Sequence, residues 1–499
     1  MSVEDLLGQI QENLLQAVTL GGKEDVLREA LSASYGQLGQ NERLMFEVCG
    51  AFPLRGTVVT RFPAVAGLPL YHCRGALQRL DRLALVEVDE RENRDQNIYH
   101  MHQVIHAFAR EQLVASETRR LADGAAPSET LLGRLISLYV EFARDHRHAF
   151  DQLELERLNL IEARVWAEHR SKQSPQCHDD LLALHNLWYY LSDWLDGIGE
   201  WTTWERFIDS AIEANRQLDN TANLAQVLTS RSSLLARVGK ADQALRVARE
   251  AVKTARVSGD ALSTVRALAY LAQVLLEEPD GRDEGHALLE EAWSTCQALP
   301  VGEDTSFVGY LLGVSHERRN NVRDAFSFYR QSLDQARETG ARRYQAYALA
   351  AIGLWFDNHG DSHQALIHLR ESLEVREQQG NRAMIAQGLR DLARVVRRTD
   401  AARARDLLTR AEQLYKQMTM LLGRIEVLLE RSEIYLEERQ FDQAIQDLTT
   451  ALQLGEQLGA AAFNVRVDAL LKLGGAYDAE GQPWRRTGHI STLLLYHSR

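Results

Sequence analysis

The residues of this sequence that come closest to a catalytic or phosphate-binding pattern are two histidines and a pair of glycines. His146 and His148 are separated by one arginine, whereas zinc-binding histidines on a helix follow an HExxH spacing. Gly21-Gly22-Lys23 lacks the first glycine of a GxxxxGK[ST] phosphate loop, and the glutamate that follows would repel phosphate. No GxSxG motif or paired carboxylates stand out. We therefore expect that the protein is not an enzyme, and we assign no catalytic residue.

The cysteines and the apolar runs bear on metals, membranes and localisation. Cys49, Cys73, Cys177 and Cys296 are scattered and form no CxxC pair, so we expect neither disulfides nor a bound metal. No apolar run approaches the roughly 18–20 residues that a membrane span needs. The N-terminus carries Glu4, Asp5 and Glu12, where a secretory signal is basic. These features predict a cytoplasmic protein that does not interact with membranes.

The composition is that of a folded protein with several domains. The chain has 499 residues, of which 45% are hydrophobic and 25% are charged. Its net charge of −13 disfavours non-specific nucleic-acid binding, because contact with phosphates requires a basic surface. The excess of acid is either an ordinary solvated surface or an acidic docking face.

The strongest pattern is a repeat of about 40 residues that begins near residue 204. Pairs of small residues seven apart recur at Ala244/Ala251, Gly285/Ala292, Ala325/Ser332, Ala365/Ser372, Ala404/Ala411 and Ala444/Ala451. Each pair follows the previous one at nearly the same interval, and a degenerate pair, Trp204/Ala211, lies one such interval before the first. Because residues seven apart lie on one face of a helix, each pair predicts a second helix that packs closely on the preceding first helix.

One unit shows the pattern in full. Apolar residues at helical spacing predict its first helix: Leu349, Ile352, Gly353 and Phe356. A second stripe predicts its second helix: Leu366, Leu369 and Leu373. The residues 358–361 (NHGD) separate the two helices, with Asp361 as the expected N-cap of the second one.

This pattern resembles the tetratricopeptide repeat, whose common form has about 34 residues. The longer spacing is similar to the variant found in large bacterial signalling ATPases and maltose-regulator-type activators. The resemblance implies an all-α, right-handed α-solenoid whose concave face binds a protein or peptide partner. By the same analogy, five residues of first helices are expected to face that groove: Arg237, Tyr310, Arg318, Tyr347 and Asn358.

The first part of the chain, residues 1–120, follows a different pattern. Two helical segments precede the helix-like stretch 71–84, the strand candidates 85–90 and 98–102 form a hairpin, and another helix follows. The residues that occur together are Ser34-Tyr35, Leu38, Glu42-Arg43, Phe46, Phe52-Pro53, Leu80, Leu85-Val86, Met101-His102 and Phe108-Ala109-Arg110-Glu111. This set resembles the winged-helix segment of NB-ARC ATPases of the STAND signalling class. The stretch 153–167 is similar to their linker helices, so the resemblance spans roughly 25–480.

The resemblance also implies a nucleotide-binding domain, which would have to lie before residue 1. GLPL at 67–70 spells a motif of that domain, but it falls on the wrong side of Phe52-Pro53, so we attribute it to chance. In the family, a Met-His-Asp triplet lets the histidine contact the β-phosphate of ADP. Here Met101-His102 is followed by Gln103. His102 is therefore either a degenerate ADP sensor, with ADP or ATP bound only if a nucleotide domain is supplied elsewhere, or a partly buried histidine that packs the hairpin.

A winged helix raises the alternative of DNA binding through the helix at 71–84. That helix carries Arg74, Arg79 and Arg82 against Asp81. Residues 1–120 contain 13 basic and 16 acidic residues, a net charge of −3, which disfavours nucleic-acid contact. In the resembled family this segment is a structural relay between the ATPase and its sensor.

Two further segments allow more than one interpretation. The aromatic residues Trp188, Tyr189, Tyr190, Trp194, Trp201 and Trp204 form either an exposed ligand hot spot or the hydrophobic closure of the solenoid end. Residues 470–482 predict the first helix and turn of an eighth unit. Beyond them, the pattern indicates a frame change, a truncation scar or a frayed tail, and hence a fragment of a longer gene product.

We therefore expect five regions. They are an N-terminal helix or linker (1–24), a winged-helix-like module (25–120), linker helices (121–198), about seven repeats (199–482) and an irregular tail (483–499). The expected function is a sensor scaffold that binds a protein or peptide and acts with a STAND-type ATPase. The alternative is a transcriptional regulator.

Overall fold

A computed structural model describes residues 24–173, 178–458 and 463–479 of the chain. The predicted segment 1–24 (except residue 24), Cys177 and the tail 483–499 lie outside the described residues. The chain divides into two compact units. Unit 1 comprises the described residues up to Arg147 with Asp151–Leu191 and Asp209–Leu218, and unit 2 comprises His148–Phe150, Ser192–Ile208 and the described residues from Asp219 onward.

Unit 1 begins with five helices and three short strands. The helices are α1 (Glu24–Gly36), α2 (Gln40–Ala51), α3 (Phe62–Ala66), α4 (Leu70–Arg82) and α5 (Gln103–Ala122). The strands are β1 (Thr57–Val58), β2 (Glu87–Asp89) and β3 (Ile98–His100). They form an antiparallel sheet in the order β1-β3-β2, in which Tyr99 pairs with both Thr57 and Val88. The predicted hairpin is confirmed, whereas α3 and the two-residue strand β1 were not predicted.

An aromatic core holds these elements together. Phe46 and Phe108 pack with ring centroids 6.1 Å apart, and this contact joins α2 to α5. Phe62 packs edge-on against Tyr99 at 6.2 Å, which joins α3 to the sheet. Burial of such rings is the main stabilising contribution in so small a module.

Five more helices follow. They are α6 (Leu131–Asp145), α7 (Phe150–Leu155), α8 (Arg157–Gln173), α9 (His178–Ile198) and α10 (Trp201–Gln217). Glu156, at the junction of α7 and α8, is buried but fully partnered. It pairs with Arg61 at 2.6 Å and accepts hydrogen bonds from Tyr139 at 3.1 Å and Asn159 at 2.6 Å. A buried carboxylate with three such partners fixes the position of the linker helices within unit 1.

Among the described residues, unit 2 contains the end of α9, the first part of α10, six pairs of antiparallel helices and one further helix. The first helices are α11 (Thr221–Arg237), α13 (Ala261–Glu277), α15 (Glu303–Arg318), α17 (Arg342–Asn358), α19 (Arg382–Val396) and α21 (Leu421–Glu437). The second helices are α12 (Ala241–Ser258), α14 (Arg282–Cys296), α16 (Val322–Thr339), α18 (Ser362–Gln379), α20 (Ala401–Gln417) and α22 (Phe441–Leu458), and α23 (Phe463–Ala479) follows. Each second helix packs on the first helix of its own pair and on that of the next.

The small-residue pairs lie where the sequence predicts them. All twelve members, from Ala244 to Ala451, are buried on second helices. The helices approach so closely that the serines among them bond to the facing backbone: Ser332 Oγ donates to Ser306 O at 2.7 Å, and Ser372 Oγ donates to Ala346 O at 2.8 Å. The seven-residue spacing therefore marks a packing contact.

The turns follow the predicted chemistry as well. Asp361 caps α18 by accepting a hydrogen bond from the backbone N–H of Gln364 at 3.0 Å, as predicted. The helices α16 and α18 end at Gly340 and Gly380, both with φ of 70°, a conformation that glycine adopts without steric cost.

The structure bears on two sequence-based expectations, one about the aromatic cluster and one about membrane-spanning helices. Trp188, Trp194 and Trp204 are at most 3% exposed, so the aromatic cluster is not an exposed hot spot, although Tyr189 is 39% exposed. No helix within the described ranges is both long and apolar enough to cross a bilayer.

Candidate partner-binding face

The first helices form one continuous face of unit 2. First helices of neighbouring pairs contact each other more extensively than second helices do. This difference places the first helices on the inner side of the curved stack. We call their surface the inner face.

Five aromatic side chains run along the inner face and form what we call the inner aromatic row. They are Tyr270 on α13, Phe307 and Tyr310 on α15, and Tyr344 and Tyr347 on α17. Their ring centroids are 5.1 Å apart for Tyr270 and Phe307, 5.1 Å for Phe307 and Tyr344, 6.3 Å for Tyr344 and Tyr347, and 5.5 Å for Tyr347 and Tyr310. The rings therefore follow one another in contact across three helices, with Phe307 and Tyr344 buried and the other three rings half-buried.

Arginines flank this row. Arg376 of α18 lies 5.9 Å from the ring centroid of Tyr347 and donates to Met384 O at 2.9 Å. Arg343, one turn before Tyr347 on α17, and Arg237 at the end of α11 add two further cations near the row. Rings beside guanidinium groups are the side chains that most often dominate binding at protein interfaces.

The directions in which the tyrosine pKa values are shifted indicate the electrostatic potential of the inner face. Burial raises the pKa of Tyr310 and Tyr344 above the usual value. Burial also acts to raise the pKa of Tyr347, but the positive charges of Arg343 and Arg237 outweigh it, so this pKa lies below its usual value. The potential near Tyr347 therefore favours negative charge.

Two carboxylates of the chain itself already lie against these arginines. Asp193 pairs with Arg343 at 2.8 Å, and Asp196 pairs with Arg237 at 2.6 Å and with Arg343 at 3.4 Å. The side chain of Asp196 is only 5% exposed. All four residues belong to unit 2, so the inner face holds an acidic segment from earlier in its own chain.

The predicted groove residues divide into two groups. Arg237, Tyr310 and Tyr347 lie together on the inner face. Arg318 does not join them, because its guanidinium bonds to Leu276 O and to Glu277. Asn358 is exposed at the last position of α17. Three of the five predicted residues therefore lie together, and their role in binding stays a prediction.

Four residues of the inner face were not predicted: Tyr270, Phe307, Arg343 and Tyr344. Arg376, which is fully buried beside Tyr347, was not predicted either. A signal was present for the aromatic ones, because Tyr270, Phe307 and Tyr344 recur at equal intervals that are slightly shorter than the main repeat. The same interval separates Tyr310 from Tyr347. A search for a single repeat period does not detect it.

His102 lies in unit 1, at the N-cap of α5. Its Nδ1 accepts a hydrogen bond from the backbone N–H of Val104 at 3.4 Å. The residue is exposed, which contradicts the interpretation as a partly buried packing histidine. The role as an ADP sensor stays a prediction.

The arginines of α4 differ in their surroundings. Arg74 pairs with Asp95 in the loop between β2 and β3. Arg79 and Arg82 are exposed on the last turns of the helix. Of the three, the latter two present their cationic groups to solvent.

One group of side chains has the spacing of a metal site. The donor atoms of His286, Glu290 and His316 lie within 4.8 Å of one another. However, the Glu290 side chain is 55% exposed, and burial together with the positive charge of Arg319 holds the pKa of His286 below its usual value. The lowered pKa keeps the imidazole neutral, which is the form that binds a metal ion, so the three side chains remain a candidate group whose carboxylate is largely exposed.

Comparison with known proteins supports the repeat assignment. The SHNi-TPR family model matches residues 426–461, and no curated protein matches the chain. A STAND protein with a tetratricopeptide repeat sensor from Pyrococcus horikoshii is similar with a TM-score of 0.55 and 12% identity, over 94% of this chain and 64% of that chain. The chain thus spans 64% of the length of that STAND protein.

Two further solved structures are more distant. A Rap protein complexed with Competence and Sporulation Factor gives a TM-score of 0.49 at 11% identity, over 70% of this chain and 94% of that chain. Aspartyl phosphate phosphatase F from Bacillus subtilis gives 0.43 at 12% identity, over 84% and 94%. The STAND similarity shows the fold: the chain forms an α-solenoid of the tetratricopeptide type, a class that generally serves as a non-catalytic scaffold.

Proposed function

We propose that unit 2 binds a protein or peptide partner on its inner face, through the inner aromatic row and the arginines beside it. The observation that supports this most directly is the continuous row of rings on three first helices, with Arg237 and Arg343 beside it. An aromatic surface with fixed cations suits an extended segment of another chain, because it offers both apolar contact and charge recognition.

The test is affinity capture with the immobilised full chain and its Tyr310→Ser/Tyr347→Ser variant. Both rings are half-buried and face the groove, so their loss removes contact area for a partner. Tyr71→Ser serves as the matched control, because Tyr71 is a largely exposed tyrosine on α4 of unit 1 and does not belong to the inner face of unit 2. A partner that is retained by the control and lost by the double variant supports the proposal. Equal retention by all three proteins would refute it.

We further propose that unit 1 connects this binding event to a STAND-type ATPase through a winged-helix-like relay. The order of helices and the antiparallel sheet in residues 24–122 support this role, as does the similarity in fold to the STAND protein. His102 is exposed and therefore accessible to a nucleotide held by a separate domain. Calorimetry should detect no ADP binding by this chain alone, and His102→Ala should weaken ADP binding once a nucleotide domain is present.

A second candidate function is transcriptional regulation through α4. The observation in its favour is the pair of exposed arginines, Arg79 and Arg82, on the face of α4 that faces solvent. The net charge of −3 over residues 1–120 opposes it, because each phosphate contact requires an unpaired cation.

A further inference from the structure

The acidic residues on the inner face belong to a short stretch, residues 192–201, which we call the crossing segment. It comprises the end of α9 and the first residue of α10. The segment contacts residues far along the chain: Asp193 and Arg343 are 150 residues apart, and Trp201 donates from Nε1 to Met418 O, 217 residues away, at 3.2 Å. The crossing segment therefore bridges several repeats within unit 2.

Its backbone is shaped for close contact with those repeats. Gly199 has φ of 78°, and a Cβ there would lie 2.6 Å from Cβ of Met418. A Cβ on Gly197 would lie 2.9 Å from the ring of Phe150 and 3.0 Å from the side chain of Asn381. Both glycines are thus required by the contact itself.

The aspartates of the crossing segment and the arginines of the inner face carry opposite charges, and each group forms its ion pairs with the other. Within the described part of the chain, Arg343 forms ion pairs with Asp193 and Asp196, and Arg237 forms its ion pair with Asp196. If the crossing segment left the inner face, it would uncover two arginines beside Tyr347. A half-buried guanidinium without a carboxylate is costly, so another carboxylate-bearing chain would bind there favourably.

We propose that the partner of the inner face is an acidic peptide segment with aromatic residues, and that the crossing segment occupies its site as an internal competitor. This inference rests on the proposed function and names the class of partner. The sequence of the crossing segment, SDWLDGIGEW, shows what the site accepts: two aspartates three residues apart and, at its end, a tryptophan whose Nε1 donates to Met418 O. The partner displaces Asp193 and Asp196 and takes over their contacts with Arg237 and Arg343.

The probe is a fluorescein-labelled synthetic peptide of residues 190–201, and its binding to the full chain is measured by fluorescence anisotropy. The control peptide has both aspartates replaced by asparagine. The Asp193→Asn/Asp196→Asn variant weakens the internal competitor. Because competition lowers the apparent affinity by the fraction of chains with an open site, we expect this variant to bind the acidic peptide at least about tenfold more tightly than the unaltered chain. The control peptide should bind at least about tenfold more weakly, and adding Arg343→Gln should abolish the gain.

A second variant guards against misfolding of the first. Gly197→Ala loosens the crossing segment by steric overlap and removes no charge. It should raise the peptide affinity in the same direction. Equal binding of the two peptides, equal binding by the unaltered chain and both variants, or no binding to any of them would overturn the inference.

The outcomes also separate this inference from the proposed function. If the peptide fails but the Tyr310→Ser/Tyr347→Ser variant still loses its captured partner, the acidic class is wrong and the binding function stands. If that variant retains the partner as well, the binding function itself is refuted.

Discussion

Replacement of Ala365 by leucine tests the packing rule from which the repeats were recognised. Ala365 is fully buried on α18, and a Cβ added to Gly353 on the facing helix α17 would lie 3.1 Å from Ala365 O. The gap between the two helices thus holds less than one methyl group. Leucine adds three carbon atoms, whose burial would gain about 0.8 kcal/mol each if there were room. Because there is none, overpacking should dominate and cost about 1–3 kcal/mol of the free energy of unfolding.

The matched control is Ala287→Leu, the same substitution at an exposed position of the second helix α14. It should change the free energy of unfolding by no more than about 0.5 kcal/mol. Thermal melts of the full chain should then show a lower Tm for Ala365→Leu, by about 1–3 °C, and an unchanged Tm for the control. Equal Tm values for the two variants would mean that the small-residue pairs are not packing contacts, and the physical basis of the repeat would be refuted.

Three other changes give separate tests. Gly313→Ala places a Cβ against the buried ring of Tyr329 and should lower the free energy of unfolding, measured in urea, by about 1–3 kcal/mol. Gly75→Ala, which has open space around it on α4, should instead raise the free energy of unfolding by about 0.5–1 kcal/mol. The reverse order of the two effects would contradict the observed helix spacing. Burial lowers the pKa of His185 to about 4, so unfolding takes up a proton between pH 6.5 and 4, and this group alone should reduce stability by about 1.4 kcal/mol per pH unit as the pH falls through that window. Urea unfolding at pH 7 and pH 5 should show that His185→Gln has a shallower loss, and identical losses would contradict this assignment. In gel-shift assays at low salt we expect no duplex retardation that survives competitor DNA; a retarded band that is lost in Arg79→Glu/Arg82→Glu would instead favour transcriptional regulation.

The solenoid could be predicted from the sequence because its determinants are local. A small residue every seven positions, a capping aspartate such as Asp361 and a stripe of leucines are each specified within one turn or two of helix. The hairpin of β2 and β3 was found for the same reason. Strand β1 was missed because so short a strand carries no alternation, and because Thr57 pairs with Tyr99, which lies far along the chain beyond α3, α4 and β2.

The candidate site was predictable only in part. Tyr310 and Tyr347 were identified because the repeat analogy places first-helix residues in the groove. Their neighbours Tyr270 and Tyr344 follow an interval shorter than the main repeat, because the ring position shifts by about one helical turn from one first helix to the next while the rings stay close in space. The pairing of Asp193 with Arg343 has no local signal, because it depends on how far the stack curves over several repeats.

The contacts of the crossing segment change how the repeats of unit 2 can unfold. A linear array has two free ends, and each end unit can unfold at little cost to the others. The contacts of residues 192–201 with Arg343 and Met418 close the intervening chain into a long loop. Chain entropy is lost when this loop closes on folding and is regained when the contacts open. Local unfolding of any repeat inside this loop then strains the contacts of the crossing segment with Arg343 and Met418. The repeats should therefore unfold together rather than one by one. Release of the crossing segment would free the two ends of the array from each other. The repeats would then unfold one by one instead of cooperatively, without any change in their own sequence.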